Sequence, residues 1–190
     1  MTALVAAEHA LVVKDLRTHF TVPAGDVKAV DGVSFTLDRG KTLGVVGESG
    51  SGKTVLSRSV MGLNVASNST TTGSVLYEGK ELVGMAPKAM KHLWGTEMAM
   101  VFQDPMTSLN PVVKVGRQLT EHVRAHLGVS KNDARSLGVE LLRTVHIPEA
   151  DERFDVYPHE MSGGMRQRVC IAMALACSPE VLFADEPTTA

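Results

Sequence analysis

The sequence predicts an α/β fold, with short apolar strands alternating with helices. Three observations carry this. "TLGVVG" is a continuous apolar run closed by Gly47, as a fully buried parallel strand requires, and a Gly/Ser loop and the helically spaced "KTVLSRSVMGL" follow it. "EMAMVFQ" and "EVLFAD" read as two further strands of the same kind. "SGGMRQRVCIAMALAC" opens on a capping Ser and a Gly pair and becomes a long apolar helix, which Ser178-Pro179 ends.

The other elements read as additions to this core. In "GVSFTL", apolar Val33, Phe35 and Leu37 alternate with Ser34 and Thr36, the pattern of a half-buried antiparallel strand. "ASNSTTTG" (66–73) reads as a polar loop and "GSVLYEGKEL" as a hairpin arm. "DPMTSLNP" is turn-rich, with Pro105 and Pro111 breaking any regular element. From Val115 to about Val145 the pattern is helical and more polar. No internal repeat or low-complexity linker is evident.

The bulk numbers exclude some classes. The 190 residues suit one domain with subdomains, and 44% apolar with 21% charged residues is ordinary for a chain that fills a core. A net charge of -2 gives no basic footprint for nucleic acid. No apolar run approaches the ~18 residues of a membrane span, and "MTALVAAEHALVV" lacks the basic start of a signal peptide. Cys170 and Cys177 share a helix face too far apart for a disulfide and read as reduced core cysteines. The expectation is a soluble intracellular protein.

"GESGSGKT" comprises Gly47, Glu48, Ser49, Gly50, Ser51, Gly52, Lys53 and Thr54. Its glycines let the backbone curl so that successive N–H groups face phosphate oxygens, and the helix it opens adds the positive end of its dipole. Lys53 is placed to reach the β and γ phosphates and Thr54 to hold Mg²⁺. The expected ligand is a nucleotide, with Mg²⁺ as cofactor. Asp185 and Glu186 end the last apolar run, and two adjacent acids there are costly unless a cation meets them. Beside a phosphate loop, Asp185 would hold the Mg²⁺ through water and Glu186 would be the general base that polarises the attacking water. No N-K-x-D segment suggests guanine. Ser162, Gly163 and Gly164 begin a helix and so form a second anion-binding N-terminus, which suits two chains that face each other across the nucleotide.

"GESGSGKT", "VFQDP", "MSGGMRQR" and "VLFADEPTTA", in this order, resemble the nucleotide-binding domain of ABC transporters. The likeness runs from about Leu11 onward. "VFQDPMTSLNP" and "YPHEMSGGMRQRV" further resemble the importer ATPases for dipeptides, oligopeptides and nickel. The resemblance implies a P-loop NTPase (RecA-like) core over 1–103 and 178–190, with an antiparallel β subdomain, and a helical subdomain over 104–177. It implies ATP and Mg²⁺, and an ATPase at the cytoplasmic face of the membrane that powers import. The implied partners are a second ATPase subunit, transmembrane permease subunits and, indirectly, a solute-binding protein. Gln103 matches the glutamine that touches Mg²⁺ and the water. Phe20 resembles the aromatic that stacks on adenine, with a plain strand Phe as the alternative. Ser162, Gly163 and Gly164 match the signature that closes over the partner chain's γ-phosphate, with Met165 where Gln is commoner. The helical block after Gln103 would carry the groove for a permease coupling helix.

The family pattern continues with a switch histidine, and all seven histidines here precede Asp185, so the chain is expected to be C-terminally truncated and incomplete in its sheet. "TLGVVG" and "EVLFAD" would then each lack a neighbouring strand. The alternatives to an importer subunit are a soluble non-transport ABC ATPase and an inactive fragment. His122 and His126 lie four apart as metal ligands can, but no third ligand is evident and a solvated helix face is the default. The trio Arg166, Arg168 and Arg153 could suggest nucleic acid, against the net charge.

Overall fold

A long strand, β1 (His9–Val22), organises the first part of the chain. It belongs to the first of two units, residues 1–92 and 93–190, in a computed structural model that describes residues 9–64, 66–104 and 108–187. Pro105, Met106 and Thr107 of "DPMTSLNP" and Thr188, Thr189 and Ala190 of "VLFADEPTTA" therefore lie outside the described residues.

In the first unit β1 pairs antiparallel on one side with β2 (Gly25–Asp38) and on the other with β3 (Ser69–Tyr77). β3 turns through Glu78 and Gly79 onto β4 (Lys80–Glu81), giving the order β2-β1-β3-β4. The register of β1 against β2 shifts between Val13 and Leu16, with Asp15 at a φ of 45°. This bulge explains why β1 shows no clean alternation in the sequence: it moves the fully buried positions from Leu11 and Val13 to Leu16 and Thr18. The "GVSFTL" segment alternates as expected, with Val33, Phe35 and Leu37 half-buried between exposed Ser34 and Thr36.

Buried Thr18 meets the Ser59 hydroxyl at 2.7 Å and that of Thr71 at 3.2 Å. Ser59 lies on α1 (Lys53–Val60), donates to the Val55 carbonyl at 2.7 Å, and accepts from the Asn64 amide at 2.8 Å. A satisfied buried polar network thus ties α1 to β1 beside the apolar contacts of Val60 and Met61.

Two expectations for this unit need correction. Residues 69–73 of "ASNSTTTG" are not loop but the start of β3, where Ser69, Thr70, Thr71 and Thr72 pair with Phe20, His19, Thr18 and Arg17. β-branched threonines suit a pleated edge with a partner alongside. "TLGVVG" is not a buried strand: residues 41–48 form none, and Val46 is 95% exposed. Among the described residues no strand pairs with it, and apolar composition without a ladder partner does not make a strand.

A short helix, α2 (Pro87–Leu93), follows in the chain, and the second unit holds a parallel pair, β5 (Met98–Val101) and β6 (Val181–Ala184). All four β5 residues are buried, whereas β6 buries Val181 and leaves Leu182 42% exposed. β6 is thus an edge strand among the described residues, less covered than its sequence suggests. Between the strands run α3 (Val115–Leu127), α4 (Lys131–Thr144), α5 (Ala150–Arg153), a 3-10 turn (Pro158–Glu160) and α6 (Gly163–Leu175). Val115, Leu119 and Val123 recur every fourth residue and form the buried face of α3. Val115 and Leu119 join Leu142, Ile147 and Val169 in the core of this unit. Ala174 and Ile171 of α6 pack on Ala99 and Val101 of β5. The Phe154 ring fits between two glycines: a Cβ on Gly116 would fall 2.2 Å from it, and one on Gly138 2.7 Å. Cys170 is buried and Cys177 half-buried, both as free thiols, and burial pushes the Cys170 thiol up to about 11.

Replacing Gly116 with Ala would overpack this contact. The expected cost is about 1–3 kcal/mol, read as a fall in denaturation midpoint at unchanged m-value; Gly163→Ala, whose Cβ would meet nothing within 4 Å, serves as the control for stability.

Candidate nucleotide site

In the first unit the glycine-rich loop and the helix after it stand in the expected order. Gly50 and Gly52 have φ of 80° and 95°, a region that other residues rarely enter. At Gly52, the residue that starts α1, a Cβ would also fall 2.3 Å from the Ala29 carbonyl oxygen, so glycine is required for two reasons. The loop closes on itself through Ser51 N–H donating to the Glu48 carbonyl at 3.2 Å. Lys53 curls back over it, its ammonium donating to the carbonyls of Gly47 at 2.9 Å and Glu48 at 3.0 Å. The cation therefore sits over the loop that would receive phosphate. Glu48, Ser49, Gly50 and Ser51 are solvent-exposed, and Thr54 begins the helix at half burial. Phe20 lies half-buried on β1, opposite Val27 and Ser69.

In the second unit β5 and β6 bring three predicted residues together. Their register ends with Val101 opposite Ala184, and Asp185 N–H extends the ladder to the Val101 carbonyl at 3.0 Å. Two residues past the last pair, the Gln103 amide donates to a Glu186 carboxylate oxygen at 2.7 Å. Asp185 is 7% exposed, whereas Glu186 turns outward with a φ of 47°. One acid is thus held within the sheet edge and its neighbour is presented on a turn. The sequence did not single out Gln167 of α6, whose amide donates to the Pro187 carbonyl and anchors the chain just past Glu186. No pattern in one sequence marks such a side chain-to-backbone tie.

Ser162, Gly163 and Gly164 open α6 as predicted. The Ser162 hydroxyl accepts from Met165 N–H at 3.3 Å, the bond expected of an N-cap, and a Cβ on either glycine would meet nothing within 4 Å. The helix start is therefore open to an approaching group.

In the first unit the Thr54 hydroxyl, and in the second the Gln103 side chain and the Asp185 carboxylate, are oxygen donors of the kind a hard cation takes. That chemistry suits Mg²⁺, which takes few protein ligands and fills its shell with phosphate oxygens and water. Among the described residues no group of three or more His, Cys, Asp or Glu could hold a metal alone. The His122 and His126 rings meet edge to face, with centroids 4.6 Å apart. His122 is half-buried rather than solvated, because Gly95 leaves its ring room that a Cβ would fill at 2.1 Å. Two of the arginine trio are taken up in local bonds: Arg153 pairs with Glu149 at 3.1 Å and Arg168 donates to the His146 carbonyl at 2.8 Å.

A family model described as "ABC transporter" matches residues 30–189. The oligopeptide transport ATP-binding protein OppD of Bacillus subtilis is 52% identical over 95% of this chain and 51% of its own length. The dipeptide transport ATP-binding protein DppD of Lactococcus lactis is 48% identical over 97% of this chain and 53% of its own. The chain spans about half the length of these curated relatives. The ATP-binding cassette MJ0796, solved as a dimer bound to ADP and Pi in a post-hydrolysis state, superposes with a TM-score of 0.84. It covers 95% of this chain and 75% of that one, and at 22% identity this likeness speaks for the fold.

Lys53→Ala, in the protein expressed from its complete reading frame, is expected to weaken ATP binding about 10–100-fold, the usual worth of a charged hydrogen bond, measured by calorimetric titration. A second prediction concerns pH. Burial, and then the neighbouring His126, hold His122 below its ordinary range. A depressed folded value favours the folded state above the unfolded pKa, about 6.5, and that contribution is lost as pH falls through the folded value. The melting temperature should therefore fall between about pH 7 and pH 5, and His122→Gln should flatten part of that slope.

Proposed function

The chain belongs to the ABC transporter family, and from that premise we propose that it is the ATP-binding and hydrolysing part of a subunit that powers peptide import across the cytoplasmic membrane. The observation that carries the peptide reading is the near 50% identity, over almost the whole chain, to proteins named for oligopeptide and dipeptide transport. Those names favour peptides over nickel and a transporter over a soluble ABC ATPase.

The proposed chemistry assigns each residue one task. Gly47–Thr54 wraps the phosphates with backbone N–H groups, and Lys53 leaves its loop carbonyls for the β and γ phosphates. Phe20 stacks on the adenine. Thr54, Gln103 and Asp185 would hold Mg²⁺, which when bound neutralises phosphate charge and orients the γ-phosphate. Glu186 accepts the proton of the attacking water. Gln103, already bonded to Glu186, holds that carboxylate in place and couples it to the segment that follows β5. Ser162, Gly163 and Gly164 meet the γ-phosphate bound by a second ATPase subunit, so a dimer completes two sites.

In this reading residues 1–103 and 178–190 form the nucleotide-binding core and 104–177 the helical subdomain that receives a permease. The subunit is peripheral, on the cytoplasmic side, and a solute-binding protein acts through the permease. No helix among the described residues is long and apolar enough to cross a membrane, so attachment would come from such a partner.

Glu186→Gln keeps the shape of the side chain and removes its ability to take a proton. In the protein from the complete reading frame, ATP binding should persist while turnover falls about 10²–10⁴-fold, and an ATP-dependent dimer should accumulate on size exclusion. Turnover within about tenfold of the parent would exclude Glu186 as the base.

A further inference from the structure

A cavity of about 660 Å³ in the second unit lies between the exposed face of α3 and the first turns of α4. It is separate from every residue assigned to nucleotide above. α3 contributes Arg117 and Arg124, with Lys114 just before its first turn, and α4 contributes Lys131 and Arg135. Lys114, Arg117, Glu121 and Arg124 follow each other at three and four residues, so they share one helix face along about 15 Å of axis. The opposite face is the buried one of Val115, Leu119 and Val123. The cations therefore converge on the cavity because the core side of the same helix fixes its rotation.

Their charge is poorly matched. Arg135 is committed: it makes two bonds to Asp155, at 2.7 and 3.3 Å, and its guanidinium lies over the Phe154 ring at 4.5 Å. Arg117, Arg124 and Lys131 form no ion pair among the described residues. Glu121 is the other carboxylate in the lining, so five cations face two acids. Like charges brought this close are unfavourable unless an anion joins them. The volume lies in the range of small-ligand pockets, about 300–1,000 Å³. The cations surround a space from two helices, where a membrane surface would call for a flat basic face. Arginine forks and lysine ammonium groups are the usual partners of phosphate.

We propose that this cavity is a second anion site, which binds a small ligand carrying two or more phosphate charges on Arg117, Arg124 and Lys131. It does not depend on the nucleotide reading, because no residue is shared.

The test uses the protein from its complete reading frame carrying Lys53→Ala, which weakens the phosphate loop as a competing site. Tripolyphosphate is titrated by calorimetry into this protein and into one that also carries Arg117→Ser, Arg124→Ser and Lys131→Ser. All three side chains are on the surface. Saturable binding that weakens at least about tenfold in the added variant, the worth of one charged hydrogen bond, supports the site. Should that variant fail to fold, hydrogen exchange on the Lys53→Ala protein decides: tripolyphosphate should protect 114–124 and 131–135. Equal binding in both proteins, or no protection of those segments, overturns the proposal. Saturation only at tens of millimolar, an adventitious ion only, also overturns it. So does binding of a poly-glutamate peptide or of phosphatidylglycerol vesicles through these residues where tripolyphosphate does not bind, since the surface would then serve an acidic protein or a membrane.

Discussion

Four pairs of residues in a parallel ladder set the chemistry of the second unit. Met98 to Val101 run beside Val181 to Ala184, and both chains leave the ladder in the same direction. Continued by two residues, that register puts Gln103 opposite Glu186, which is where the amide and the carboxylate meet. A slip of one residue would turn Asp185 from the sheet edge to the opposite face and separate the pair. The helices between the strands make this register possible, since a parallel pair needs a crossover. Their core, and the packing of α6 on β5, decide where β6 lies.

The first unit reaches its phosphate loop by another route. There the constraint is local: a helix start, glycines at positive φ, and a lysine whose ammonium bonds the loop carbonyls of Gly47 and Glu48. The Thr18, Ser59 and Asn64 network fixes the helix on the sheet, and so fixes the end of the helix that carries Lys53. A polar network is directional where apolar packing is not, which suits an element whose orientation carries function.

The two regions of the second unit proposed to meet anions share a design. At α6 a helix start is left open by two glycines, and at α3 and α4 cations project from helices whose other faces are packed. In both, the buried side decides what the exposed side presents. The phenylalanine held between Gly116 and Gly138 sits under the second of these regions, beneath Arg135, so packing and charge meet at one residue.

The sequence by itself determined the chemistry that depends on neighbours along the chain. The loop Gly47–Thr54, the Ser162 cap, the 3.6-residue period of α3 and the acidic pair after β6 are all short-range, and each is legible because a few residue types in order suffice. Tertiary structure decided what depends on partners far away in the chain. β1 was hidden because a bulge breaks its alternation, and the threonines of 69–73 became strand because β1 lay beside them. Among the described residues "TLGVVG" has no strand partner for the opposite reason, since hydrophobic residues favour burial but only a second backbone can satisfy a strand. The bond from Gln103 to Glu186 spans 83 residues of sequence, and no spacing rule reaches that far; it exists because a ladder and the crossover that feeds it fix both ends in register.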